Sequence, residues 1–201
     1  STMDYIYTIT RHVEISREYK RPHCLTFNDL QKAFDSIKME AVMEVLGSQG
    51  VLTQYIKILR ELYKNFTTKF LPFNNVEVQR GVMFTATLQN VMETLEWHNM
   101  GVKIDGRQIH QLRFADDIVL ITPDISQAEH MLADFDKACG KIGLRLNLRK
   151  TMFMKNGLVS LAPFTLNGTN ISDCSSYVYL GREINMMNDL APELSRRKRA
   201  A

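Results

Sequence analysis

Apolar residues recur along this chain in blocks whose spacing switches between helical and extended several times. From Met3 to Lys20, Ile6, Ile9, Val13 and Ile15 make a loosely helical stripe, and Cys24-Leu25-Thr26-Phe27 then reads as a short strand ended by Asn28-Asp29. Ile37, Ala41 and Val45, four apart, predict a helix closed by Gly47. Ile56, Leu59, Leu62 and Tyr63 predict a second helix from about Thr53, and Leu88, Val91, Met92 and Leu95 a third from about Phe84 to Trp97. The stretch between them, Phe66 to Gly81, is expected to be irregular, with Pro72 and Asn74-Asn75 as breakers.

The second half alternates more tightly. Val102-Lys103-Ile104 and Arg107-Gln108-Ile109 flank Asp105-Gly106, a hairpin signal because Asp-Gly supplies the positive φ values of a type I′ turn. Leu112 and Phe114, then Ile118 to Ile121, predict two strands joined by a very short connection. Ser126-Gln127-Ala128-Glu129 reads as a capping box opening a helix with Met131, Leu132, Phe135, Cys139 and Ile142 on one face. Leu144, Leu146 and Leu148 alternate and predict a strand. Phe164 to Ile171 predicts a hairpin around Asn167-Gly168, and Tyr177 to Ile184 a last strand.

The connection between the two central strands is where chemistry enters. Asp116-Asp117 places two carboxylates against four consecutive apolar residues, as befits a strand buried on both faces rather than a solvated turn. Two such charges about 4 Å apart repel by about 4 kcal/mol at an effective dielectric of 20, a conflict that a divalent cation removes. From Asp29 onward the order strand, helices, paired strands, helix, strand resembles the split βαβ of a ferredoxin-like, two-layer α+β domain. In that layout the first strand neighbours the acidic hairpin, so Asp29 is expected to meet Asp116 and Asp117. Three carboxylates there fit two hard ions such as Mg²⁺, and the chemistry is in-line phosphoryl transfer.

Composition adds bounds. The chain has 201 residues, 45% of them hydrophobic, enough for a real core, and its net charge of +3 permits a nucleic-acid partner without arguing for one. The dense basic run Arg196-Arg197-Lys198-Arg199 suits a localisation signal, a phosphate contact or a solvated helix face. Cys24, Cys139 and Cys174 lack zinc-ligand spacing, and their odd number suits a reducing, intracellular compartment. No apolar run is long enough to span a bilayer, so no membrane association is expected.

Four segments in order carry a resemblance. Asp29-Leu-Gln-Lys-Ala-Phe34-Asp35, Phe114-Ala-Asp116-Asp117, Gly143-Leu-Arg-Leu-Asn147-Leu-Arg-Lys150-Thr151 and Tyr179-Leu180-Gly181 resemble successive motifs of the reverse transcriptases of non-LTR retrotransposons, over nearly the whole chain from about Asp4. The resemblance implies an RNA-directed DNA polymerase of right-hand architecture. Residues 1–23 would be partial fingers, 24–160 the palm, and 161–201 the palm end and the start of a thumb. It implies an RNA template, a DNA primer and deoxynucleoside triphosphates as partners, with protein partners unassigned. The cofactor implied is Mg²⁺, with Mn²⁺ as a substitute, held by Asp29, Asp116 and Asp117, Asp117 being the weakest ligand. Phe34 would be the aromatic gate that excludes a 2′-hydroxyl, its alternative being a core aromatic. Lys150 would lie near the triphosphate, its alternative being a surface lysine. Tyr179, Leu180 and Gly181 would grip the primer end, and Asp35 reads as a helix N-terminal acid.

Two departures from that pattern qualify the expectation. Members of the family carry a block built around Gln-Gly and Ser-Pro, lining the nucleotide pocket, where this chain passes directly from Val82 to Met83. The fingers arginines and a full thumb are also not identifiable. Intact acids favour a polymerase, whereas the lost block favours a catalytically dead, transposon-derived remnant keeping the fold and weak nucleic-acid or metal binding.

Overall fold

The computed structural model describes residues 1–31, 36–65, 76–104 and 106–200, apart from the side chains of 62–65 and 76–83. The chain divides into two compact units: Ser1–Asp29, Trp97–Asp134 and Leu146–Ala201 form one, and Leu30–Glu96 with Phe135–Arg145 the other.

The first unit is built on a sheet. Its strands are β1 (Cys24–Asn28), β4 (Gln111–Phe114), β5 (Asp117–Thr122), β6 (Met152–Lys155) and β9 (Ser172–Asp173), in the order β4-β5-β1-β6-β9. β1 pairs antiparallel with both β5 and β6, placing Asn28 opposite Ile118 and Phe27 opposite Met152. Leaving β9 aside, the order of strands is that of a ferredoxin-like split βαβ, with the first strand between the third and the fourth. Every residue of β1 is buried, as are Ile118 to Thr122, because both faces of this centre are covered. One face packs on α1 (Thr2–Glu18) through Ile6, Ile9 and Val13, which join Leu25, Phe27, Val119, Ile121 and Met154 in one core. Burying each such side chain contributes about 1.5–3 kcal/mol.

The same core takes in Tyr179, Ile184 and Met186. Tyr177 to Ile184 is not one strand: β10 (Ser176–Tyr179) and β11 (Arg182–Asn185) form a hairpin, since Leu180 (φ 47°) and Gly181 (φ 81°) both adopt the left-handed conformation of a tight two-residue turn. The expected hairpin at Asn167-Gly168 forms between β7 (Thr165–Leu166) and β8 (Thr169–Asn170), and that at Asp105-Gly106 between β2 (Val102–Ile104) and β3 (Arg107–Ile109). Asn156, just after β6, ties the α1–β1 turn to the sheet. Its side chain donates to Ser16 Oγ and the Arg21 carbonyl at 2.9 and 2.8 Å, and its backbone N–H donates to the His23 carbonyl at 3.0 Å.

Helix α5 (Ile125–Lys141) starts on Asp124, whose Oδ1 accepts the Gln127 N–H at 2.8 Å, and not on Ser126. The cap lies outside the expected box, and Glu129 instead accepts from the Thr165 N–H and hydroxyl at 2.7 and 2.8 Å. Leu144 to Leu148 alternate without becoming a strand. The fourth strand of the split βαβ is β6, and Leu144 and Leu146 are buried from a loop.

The second unit is largely helical: α2 (Met39–Ser48) packs against α3 (Thr53–Asn65) and α4 (Val76–Glu93). The buried stripe of α2 is Val42, Met43 and Val45, whereas Ile37 and Ala41 stay half-exposed. α2 closes at Gly50 rather than Gly47. The Gly50 N–H donates to the Gly47 carbonyl and the Val51 N–H to the Leu46 carbonyl, a Schellman closure around φ 82°. α4 begins within the stretch expected to be irregular, and Trp97 lies beyond its end. Phe66 to Asn75, which holds Pro72 and Asn74-Asn75, lies outside the described residues, as do Phe34, Asp35 and Asp105.

Candidate active site

Side chains two apart along a strand share a face. Asp29 follows Leu25 and Phe27, and Asp117 precedes Val119 and Ile121, so both acids belong to the face that carries the core shared with α1 and the β10–β11 hairpin. Asn28 opposite Ile118 sets Asp29 and Asp117 at the same end of neighbouring strands. Asp116 lies in the two-residue connection between β4 and β5, where Phe114 pairs with Asp117 and Ala115 has φ 53°. An alanine in that region costs about 1 kcal/mol, so strain sits at the acidic turn.

Backbone hydrogen bonds fix a third segment here. The Asn147 N–H donates to the Asp29 carbonyl at 2.8 Å, and the Asn147 carbonyl accepts from Lys150 and Thr151 at 2.9 and 2.8 Å. This tight turn brings Lys150 Nζ to 3.8 Å from Asp29 Oδ1, a pair between an exposed lysine and a half-exposed acid, worth at most about 1 kcal/mol. Desolvation, and then the charges of Asp116 and Asp29, hold the Asp117 carboxyl above the usual carboxylate range. Desolvation also raises the Tyr177 phenol, with Asp117 and Asp29 adding to it. Tyr177 stacks on Phe27 at 4.2 Å between ring centroids, and Tyr5 of α1 meets Phe114 edge-on at 5.7 Å.

The structure thus brings Asp29, Asp116, Asp117 and Lys150 to one end of the sheet. Among the described residues no three His, Cys, Asp or Glu side chains gather closely enough to hold an ion, so one assembled cation site is not seen. The donor chemistry still fits Mg²⁺ or Mn²⁺: the acids offer only hard carboxylate oxygens, and the Asp117 carboxyl, raised by desolvation and then by the charges of Asp116 and Asp29, is one whose ionised form a cation would favour. Tyr179 is buried at 1% exposure, so its ring belongs to the core, and the Leu180-Gly181 turn is what the hairpin offers outward. Phe34 lies outside the described residues. Sequence reasoning missed Tyr5, Asn28 and Tyr177. Asn28, a polar residue inside an apolar strand beside an acid, and Tyr177, two places before Tyr179, were the available signals.

The sequence profile of the reverse transcriptase (RNA-dependent DNA polymerase) family matches residues 1–184. The chain belongs to this reverse transcriptase family. It is 39% identical over 104 residues to an uncharacterised transposon-derived protein of Caenorhabditis elegans, covering 50% of this chain and 37% of that protein. It is 25% identical over 163 residues to the retrovirus-related Pol polyprotein of the type-1 retrotransposable element R2 of Bradysia coprophila, covering 75% of this chain and 18% of that protein. The chain therefore spans well under half the length of either relative. Apo telomerase from Candida tropicalis, truncated from its C-terminal domain, shares the fold with a TM-score of 0.57 at 14% identity, over 92% of this chain and 38% of that one. These likenesses identify a reverse transcriptase domain of the non-LTR type, with an α+β polymerase palm. No helix among the described residues is long and apolar enough to cross a membrane.

Proposed function

We propose that this chain is the palm-centred part of an RNA-directed DNA polymerase that extends a DNA primer on an RNA template. The observation that carries the reading is the register of β1 with β5, which sets Asp29 beside Asp117 with Asp116 in the adjoining turn. Asp29, Asp116 and Asp117 would hold the divalent cations, which when bound activate the primer hydroxyl and offset charge on the departing pyrophosphate. Lys150 would release Asp29 and turn to the triphosphate. Phe34 would exclude a 2′-hydroxyl by shape. Leu180 and Gly181 would contact the primer end, on a hairpin that Tyr179 anchors in the core. Residues 24–160 would hold the palm, with partial fingers before it and the start of a thumb after it.

A second reading, the catalytically dead remnant, is favoured by α4, whose backbone runs unbroken through Val82 and Met83 where the pocket-lining block is missing. Much of a polymerase's rate comes from orienting the incoming nucleotide, so losing one pocket wall should cost activity more than stability. Primer extension on an RNA template with Mg²⁺ or Mn²⁺, in parent and Asp116→Asn proteins, decides between them. Extension that depends on Asp116 supports the polymerase, and none in a folded parent supports the remnant.

A further inference from the structure

The hairpin turn does not stand alone. Helix α6 (Ala191–Ala200) is fastened to it by a buried glutamate and an arginine. Glu183 lies one place beyond the Tyr179–Arg182 pair that closes the turn, where a strand N–H points away from its partner strand and needs another acceptor. Glu193 Oε2 supplies that acceptor at 2.9 Å. Its carboxylate, only 6% exposed, also accepts from Arg196 Nε and Nη2 at 3.0 and 3.1 Å and from Arg197 Nε. Arg196 Nη2 in turn donates to the Gly181 carbonyl at 2.5 Å. These bonds hold the Glu193 carboxyl down to about 2.

We infer that Glu193 and Arg196 are positioning residues: a brace that makes the Leu180-Gly181 turn and α6 one body and leaves Lys198 and Arg199 free for phosphate. The basic run, uniform in sequence, is divided in function. Arg196 is consumed within the fold by its bonds to Glu193 and Gly181, while Lys198 and Arg199 are exposed at the far end of the helix. A guanidinium already bidentate on a buried carboxylate has little left for a polyanion. The role of the brace rests on the reading of the turn as a primer contact; the brace itself rests on the hydrogen bonds.

The test separates the two. Amide hydrogen exchange of Glu183 is measured in parent, Glu193→Gln and Glu193→Ala proteins, with β1 and β5 amides as the folding control. The expected result is Glu183 exchange about tenfold faster in Glu193→Ala, an intermediate rate in Glu193→Gln, whose amide oxygen still accepts, and unchanged β1 and β5. Unchanged Glu183 exchange overturns the brace. Binding to an RNA–DNA duplex with a recessed 3′ end, and to a blunt duplex of equal charge, is then titrated with salt. Arg199→Gln should lower the salt slope by about one. Arg196→Gln should leave the slope unchanged and reduce the preference for the recessed end. If Arg196→Gln lowers the slope as much as Arg199→Gln does, Arg196 is a phosphate contact and the division of the run is wrong. A parent with no preference for the recessed end overturns the primer-contact reading and leaves the brace to the exchange result.

Discussion

Asn28 and Ile118 face each other across the β1–β5 ladder, and the Asn28 side-chain amide also donates to the Ile118 carbonyl at 3.2 Å. The same nitrogen donates to the Thr26 carbonyl at 3.1 Å, while its Oδ1 is buried without a hydrogen-bond partner. One side chain thus cross-links the two strand ends from which Asp29 and Asp117 emerge.

That enclosure makes position 28 intolerant of charge. Asn28→Asp puts a carboxylate where exposure is 4%, next to Asp29, and should lower unfolding stability at pH 7 by about 3 kcal/mol. Asn28→Val loses both bonds but also the orphaned oxygen, and should stay within about 1 kcal/mol of the parent. Urea denaturation at pH 7 measures both, and an Asp variant as stable as the parent would refute the enclosure argument.

The acids give a binding prediction independent of turnover. If the acids hold a cation as proposed, Asp116→Asn should weaken Mn²⁺ binding and abolish any primer extension, with stability unchanged or slightly raised. Matching Mn²⁺ titrations for parent and variant would remove the cation site from the proposal.

A buried histidine gives a pH prediction. His23 is fully buried with neither ring nitrogen hydrogen-bonded, 5.9 Å from the ring of His12. Burial, followed by the charge of His12, pushes its pKa down to about 3 from 6.5. The unfolded chain therefore binds a proton that the folded one refuses, and stability falls as pH drops below about 6.5 towards 3. From pH 6.5 to 5 the loss should be about 2 kcal/mol. His23→Phe, which forfeits no hydrogen bond of the ring, should flatten that part of the profile. If the denaturation midpoints of His23→Phe track the parent's between pH 7 and 5, another group is responsible.

The junction inside α4 is where the proposed loss of a pocket wall would limit activity. Inserting a Gln-Gly/Ser-Pro block between Val82 and Met83, in a longer chain that also supplies fingers and thumb, should raise primer extension by orders of magnitude over the same long chain without it. Equal extension rates for the two would show that the loss is harmless.

What was legible in the sequence depended on how local its cause was. The β4–β5 turn, Asn167-Gly168 and β1 were readable because a two-residue connection or an unbroken apolar run leaves little choice. Gly47 was the wrong helix stop because a left-handed cap is set by where the helix runs out of partners, which is Gly50. Ser126-Gln127-Ala128-Glu129 matched a capping box, yet Asp124 was two residues earlier and Glu129 had a tertiary use on Thr165. Leu144, Leu146 and Leu148 had strand periodicity, but the Asn147 turn bound to Asp29 diverts that segment and leaves the ladder to Met152 onward. At the site, the order of the acids along the chain was plain. How closely their side chains approach one another was not, because side-chain orientation depends on packing that sequence spacing does not specify.

The central position of β1 has a consequence for chain connectivity. Asn28 and Ile118 are 90 residues apart, so the sheet closes around a long excursion that holds α2, α3 and α4. The entropy of closing such a loop varies only with the logarithm of its length, each halving or doubling being worth about 0.6 kcal/mol. Shortening the excursion by one small block therefore changes the closure cost by roughly a tenth of a kcal/mol or so. The palm sheet is in effect indifferent to how much chain is looped out between its two acidic strands, so the proposed loss of a pocket-lining block would leave no mark on the fold of the sheet.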